Sequence, residues 1–361
     1  MSLGVRDQID LTLSIADGRI AAVDIGPRTR PPLGRLFAAK PAEIALAALP
    51  RLFSLCAAAH QVAFLSALDA AQGHDLAPPA RQRRLNAVLA ERLAELLRGL
   101  LMECLAQDRR MAAAVRTLLQ AASSLVVETA DGARVETLSQ IKSGLAALGL
   151  CFEPEGIVPG RPLASIMTAA HSREWNQDMP ADRGYLSADN DLGVVTRLLD
   201  EGASFAEHPD LEGSVPETGV WARYARSACV ASHGTLVERL QAKVSEIVLL
   251  LRWLEDGQGD DETFERGSIE NYALGVGRGA AAVECARGRL YHAVELDDAG
   301  RLVHCEFLAP TEWNFHPRGP VVRRLTGAMI STCGRNTVEA LVSAFDACVG
   351  VRLDIRELAD A

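Results

Sequence analysis

No two of the eight cysteines are spaced Cys-x-x-Cys, which removes the commonest generic zinc and dithiol signatures. They stand at positions 56, 104, 151, 229, 285, 305, 333 and 348, so any metal they hold must draw its ligands from distant parts of the chain. No apolar run can span a bilayer, because the longest soon meets Arg252 and Glu255. Met1 to Asp7 show no basic-then-apolar run, so no signal peptide is expected, and reduced thiols in the cytoplasm are. Basic charge is also short. Thirty-seven Lys and Arg against 47 Asp and Glu leave a net charge of −10, which argues against duplex nucleic acid or an anionic membrane as the main partner. No fixed-period repeat is visible, so a solenoid is excluded.

What remains is an ordinary globular composition, 48% hydrophobic and 23% charged over 361 residues. Leu11–Ile25 alternates around Asp17-Gly18, the signal of a hairpin, and a Pro- and Arg-rich connector follows from Pro27 to Pro32. Pro41 to about Ala71 is Ala- and Leu-rich, with Pro50 read as the start of a fresh helix. Within Ala80–Ala122, Leu85, Val88, Leu89, Leu93, Leu96 and Leu97 form a stripe at helical period. A second hairpin is expected around Asp131-Gly132, and a loop over 149–162. Residues 172–190 read as polar and exposed. Helices are expected over Asp191–Glu201 and Ser214–Glu255, the latter capped by Ser214, with a linker at 257–262. Three strand-like runs follow (Ala281–Ala286, Leu290–Leu296, Arg301–Leu308), then a helix from about Thr337 to Ala347 and a short tail. The expectation is an α+β, helix-dominated chain with a long-helix core and small sheets near both ends. A single domain is expected over 1–361, in three parts: 1–40 (N-terminal hairpin and connector), 41–256 (mainly helical core) and 263–361 (sheet plus C-terminal helix).

Gly275-Val276-Gly277-Arg278-Gly279 lacks the spacing of a dinucleotide fingerprint and the Lys-Ser/Thr of a phosphate loop, so it reads as a glycine-rich turn. On a helix, Cys56 and His60 lie one turn apart on one face. They can meet one metal, or be a buried cysteine beside a packed histidine. Cys348 follows a helix beside Asp346. Cys104, Cys151, Cys229, Cys285, Cys305 and Cys333 read as buried small hydrophobes. His292 and His304 read as half-exposed in strands, and His316 as structural.

Taken in order, these segments resemble the large subunit of nickel–iron hydrogenases. That family shows Arg-x-Cys-Gly-x-Cys-x-x-x-His, Glu-x-Pro-Arg-Gly-x-x-x-His, Pro-x-x-Trp-Asn and Asp-Pro-Cys-x-x-Cys-x-x-His. Arg51, Cys56 and His60 match the first motif, with Phe53 and Ser54 in place of its first cysteine and its glycine. Glu284, Arg287, Gly288 and His292 match the second, with Ala286 for proline. Pro310, Trp313 and Asn314 match the third. Asp346 and Cys348 match the fourth, whose second cysteine and histidine are Val351 and Asp354 here. The degenerate pattern is similar to that of the large-subunit-like hydrogenase assembly proteins of the HupK/HoxV family.

The resemblance implies a site suited to iron and unsuited to nickel. The positions of the nickel-only cysteines hold Phe53 and Val351, which cannot donate to a metal, whereas Cys56 and Cys348 stand where two thiolates bridge to iron. It implies a non-catalytic scaffold that transiently holds iron with cyanide and carbon monoxide ligands, the Fe(CN)2(CO) fragment. Cys56 and Cys348 would ligate the iron. Arg287 would donate to a cyanide nitrogen, His60 to a thiolate or cyanide, and Asp346 would position Arg287 or a backbone amide. Phe53 and Val351 are expected beside the two cysteines. The implied partners are the hydrogenase large-subunit precursor and other maturation factors. A metal-free docking protein for hydrogenase subunits or maturation factors is the alternative.

Overall fold

The computed structural model describes residues 8–107, 109–127, 131–153, 155–172, 184–228, 234–256 and 267–358. The 257–262 linker lies outside them, as does Cys229, and the side chains of Cys104 and Cys333 are likewise not described.

The expected first hairpin forms: β1 (Gln8–Ala16) pairs antiparallel with β2 (Arg19–Ile25). Asp17 and Gly18 both take positive φ, at 51° and 70°, the conformation a two-residue turn matching strand twist requires. Every second residue of β1 is buried, and this face packs on Val321, Leu325, Val338 and Leu341. The third strand of this sheet comes from the far end of the chain. β9 (Gly350–Glu357) lies parallel to β1, with Leu353 opposite Leu11. The expected tail is therefore a strand, and the two ends of the chain are tied together.

Helices follow β2: α1 (Leu33–Phe37), α2 (Ala42–Leu52), α3 (Ala57–Gln72), α4 (Pro78–Gln107) and α5 (Ala112–Val127). Pro50 lies inside the last turn of α2 instead of starting a helix. The leucine stripe of α4 is buried, as its period predicts. The hairpin expected at Asp131-Gly132 is a helix instead, α6 (Asp131–Leu148). A minimal hairpin, β3 (Leu150–Phe152) with β4 (Glu155–Ile157), interrupts the expected loop before α7 (Pro162–Ser172). Of 172–190, the described residues include Leu186 and Ser187, which are buried.

α8 (Asp191–Glu201) has the expected bounds and leads into α9 (Ala203–Glu207). The single helix expected from Ser214 is two, α10 (Val220–Ala228) and α11 (Leu236–Asp256). Ser214 closes a turn with Leu211, and the segment to Gly219 stays out of the helix because its polar groups are claimed elsewhere. Arg239 donates to both Glu217 oxygens at 2.6 and 3.0 Å, and Asn314 holds both backbone groups of Thr218.

The second sheet is a four-stranded antiparallel meander, β5 (Ile269–Gly275), β6 (Arg278–Cys285), β7 (Gly288–Leu296) and β8 (Leu302–Leu308). The sequence shows the last three. β5 was not anticipated, because it is a half-buried edge strand. One face, with Ala281, Val283 and Leu290, packs on α3, while the other, with Ala280, Ala282 and Tyr291, packs on α8. Burial on both faces makes β6 almost continuously apolar. The glycine-rich segment is the β5–β6 turn. Gly279 in it lets α3 approach: a Cβ there would stand 2.3 Å from both the Ala67 carbonyl oxygen and the Ala71 nitrogen. α12 (Pro310–Asn314), α13 (Pro320–Leu325) and α14 (Ile330–Ser343) complete the chain. α14 begins and ends earlier than expected, so Cys348 lies in the turn between α14 and β9. No described helix is long and apolar enough to cross a membrane.

The α3–meander contact gives a direct test. Gly279→Ala should destabilise the protein by about 2 kcal/mol or more, since two backbone atoms must give way. Gly193→Ala in α8, where a Cβ meets nothing within 4 Å, should be neutral or stabilising by about 1 kcal/mol. Urea unfolding of both variants reads the difference.

Candidate functional site

The sheet formed by the chain ends brings Cys348 to the N-terminal end of α3. Cys56 is the N-cap residue of that helix, but its side chain makes no capping bond and the thiol is left free. The cap comes from α4: Glu91 accepts from the backbone N–H groups of Ala58 and Ala59 at 2.7 and 2.8 Å. Cys56 and Cys348 both line one cavity of about 590 Å³, together with Arg287, His60, Phe53 and a third thiol, Cys285.

Burial pushes the Cys56 thiol well up, the neighbouring Cys348 adds to this, and Arg287 opposes it. Burial likewise raises Cys285 to about 11. Cys348 accepts from the Thr311 hydroxyl at 3.2 Å and faces Arg28 Nη1 at 3.8 Å, and Arg28 is itself paired with Glu312. A guanidinium thus stands beside the Cys348 sulfur and another near Cys56.

Arg287 sits in the two-residue turn between β6 and β7, a placement that depends on glycine. Gly288 has φ of 127°, and a Cβ there would strike the Thr218 side chain at 2.2 Å. One on Gly219 would stand 3.0 Å from the Arg287 carbonyl. Asn314 clamps Thr218 in turn. The Arg-Gly and Trp-Asn segments thus support one another. Glu284, matched in the same motif, faces away into an ion network, accepting from Arg223 at 2.5 Å and Arg289 at 3.1 Å. Arg287 is 7% exposed and donates from Nη2 to Glu95 at 2.6 Å, while its Nε and Nη1 have no hydrogen-bond partner among the described residues.

His60 Nδ1 contacts His292 Nε2 at 2.8 Å. Phe53, at the missing-cysteine position, stacks on His60 with ring centroids 3.6 Å apart. Both imidazoles are held neutral. Burial lowers His60 first, then His292 and Arg30, and burial and Arg30 push His292 down to about 3.

Two expectations are corrected here. Asp346 does not position Arg287: the described carboxylate on Arg287 is Glu95, and Asp346 pairs with Lys243 at 2.8 Å. That ion pair pins a residue of φ 50° in the turn before Cys348. Val351 lines a second cavity of about 330 Å³ with Lys243 and Asp346, and Arg287 borders both cavities. His292 is fully buried because the meander is covered on both faces. Cys285 and Cys305 are buried as expected and Cys151 is half-buried. His316 is buried, with Nδ1 accepting from the Arg318 backbone. Among the described residues no three His, Cys, Asp or Glu side chains group as a metal cage, so the donors on offer are thiols. Arg28, Thr311, Glu91 and Glu95 escaped sequence reasoning. The Pro-rich stretch around Arg28 was the available signal.

No protein-family model matches the chain. It is 48% identical over its whole length, and the whole of the relative, to the hydrogenase expression/formation protein HupK of Bradyrhizobium diazoefficiens. It is 34% identical to HupK of Rhizobium leguminosarum, over 98% of this chain and 97% of the relative. The chain belongs to the HupK/HoxV family of hydrogenase expression/formation proteins. HoxV of Cupriavidus necator is 29% identical, over 91% of this chain and 92% of that one. The fold is that of nickel–iron hydrogenase large subunits. An NAD+-reducing nickel–iron hydrogenase superposes with a TM-score of 0.62 at 18% identity, over 92% and 93% of the two chains. The Ni-Fe-Se hydrogenase of D. vulgaris Hildenborough gives 0.63 at 15%, over 92% and 94%.

Glu91 gives the HupK/HoxV site a pH signature. Burial raises its carboxyl from 4.5 to about 7, against the pull of its two backbone donors. The folded state keeps a proton that the unfolded chain releases, so this group's contribution to stability is complete below about 4.5 and lost as pH rises through 7. Glu91→Gln should remove that loss, making the wild type relatively less stable than the variant at pH 8 than at pH 5 in urea unfolding.

Proposed function

We propose that this protein is a non-catalytic assembly scaffold. It takes up the Fe(CN)2(CO) fragment as cargo, holds it between Cys56 and Cys348, and passes it to a hydrogenase large-subunit precursor. The observation that carries the reading is the pairing, in one cavity, of these two thiols with a buried guanidinium whose Nε and Nη1 lack an acceptor among the described residues. Buried donors without partners are costly in a folded protein, and an anionic ligand nitrogen would satisfy them. Low-spin iron with strong-field ligands suits soft thiolates. Arg28 and Thr311, which face Cys348, would hold its sulfur in place as a ligand, and Glu95 would fix Arg287 so that its free edge faces the cargo.

Nickel has too few donors here. Phe53 fills its place with an aromatic ring stacked on His60, and Val351 borders the other cavity. A hand-over role also requires a soluble carrier that releases its load, and two thiolates hold a fragment less tightly than four. The relatives are named for hydrogenase expression and formation, which supports the large-subunit precursor and other maturation factors as partners.

Protein isolated without oxygen should carry iron and show infrared bands in the cyanide and carbonyl stretching region. Cys56→Ser and Cys348→Ser should each remove the bands and abolish hydrogenase maturation while leaving the protein folded, because a serine oxygen is isosteric but hard and weakly acidic. Cys151→Ser should be silent. Arg287→Lys should give a partial defect, since an ammonium keeps the charge and loses the fork. Full maturation by the Cys56→Ser/Cys348→Ser double variant would leave a metal-free docking role instead.

Equilibrium dialysis should show no nickel binding below micromolar concentrations that depends on Cys56. Tight Cys56-dependent nickel binding would refute the iron-only reading of the site.

A further inference from the structure

His292 is wholly buried in the middle of β7, and its Nδ1 has no hydrogen-bond partner among the described residues. Its other ring nitrogen meets His60 Nδ1 at 2.8 Å. The two rings cannot turn freely. Phe53 lies flat on His60, Phe307 presents its edge to the same ring at 5.4 Å, and Phe64 closes on His292 at 5.9 Å.

Two neutral imidazoles carry two N–H protons among four ring nitrogens, and the 2.8 Å contact needs one of them. Suppose His60 supplied it from Nδ1. The proton of His292 would then sit on Nδ1, a buried N–H with nothing to accept it. Suppose instead that His292 supplies it from Nε2. The unfilled position is then only a lone pair, and the proton of His60 moves to Nε2. Orphaned buried N–H groups are rarer in folded proteins than unfilled acceptors. Arg30, the charged group nearest in effect to His292, has no acceptor to offer a stray N–H. With Nδ1 of His60 engaged by His292, Nε2 is the nitrogen His60 has left for the cavity it lines.

We infer that His292 is a positioning residue that fixes the tautomer of His60, so that His60 presents an Nε2–H donor to an anionic atom in the thiol cavity, a cyanide nitrogen or a thiolate sulfur. The choice of acceptor rests on the scaffold reading, whereas the tautomer does not. A donor there, with Arg287 bordering the same cavity, lets the site bind an anionic fragment without adding a further positive charge.

The test has two arms. In the full-length metal-free protein with 15N-labelled histidine, long-range proton–nitrogen correlation spectra should show both His60 and His292 protonated at Nε2. A proton on Nδ1 of either residue overturns the inference, whatever the protein carries. In protein isolated without oxygen, His60→Phe and His292→Phe should displace the cyanide bands in the same sense. His292→Gln, whose amide can donate from a similar reach, should restore the wild-type position. Bands that move with His60→Phe but not with His292→Phe would also overturn it. Absence of all cyanide bands in the wild type would count against the scaffold reading, and the spectra of the metal-free protein would still decide the tautomer.

Discussion

Two thiols from opposite ends of a chain share a cavity only if the ends are tied, and the tie is the parallel ladder between β1 and β9. A parallel pair needs no shared turn, so it can join segments of any separation, and here it closes the whole chain on itself. β9 begins two residues after Cys348, so the register of the ladder also sets the position of the sulfur. The Lys243–Asp346 ion pair fixes the approach from the other side, holding a left-handed residue between α14 and the strand. Cys56 is located independently, at the start of a helix packed against the meander and capped by Glu91.

Arg287 depends on a different device. Its turn lies so close to Thr218 and Gly219 that glycine is required on both sides of the contact, and Asn314 locks the loop beneath it. Motifs far apart in the chain are therefore parts of one mount for a single guanidinium. A buried arginine with one carboxylate partner among the described residues is an unstable arrangement unless its surroundings hold it, and the mount does so.

The sequence showed what local chemistry decides. Asp17-Gly18 between alternating strands and the leucine stripe of α4 both appear as read, because turn geometry and helical period leave their marks within a few residues. What was hidden was decided at a distance. β9 does alternate, Val351, Leu353 and Ile355 with Arg352, Asp354 and Arg356, but its partner β1 lies at the far end of the chain, so the run read as a tail. The helix expected from Ser214 starts only at Val220 because Asn314 and Arg239, far along the chain or beyond a loop, claim its would-be first turn. His292 was read as half-exposed since nothing in β7 tells that both faces of the meander are covered. The two cysteines, His60 and Arg287 were legible through ordered motifs and meet in one cavity, whereas Asp346 shared the motif and serves the turn instead.

The parallel ladder has a mechanical consequence. In parallel strands that end the chain, the N-terminal entry to β1 and the C-terminal exit from β9 lie at opposite ends of the pair. Tension applied between the termini therefore loads the rungs in shear, all together, and cannot unzip them one at a time. A machine that threads the protein from its tail would have to break this clasp as a unit before the force reached Cys348.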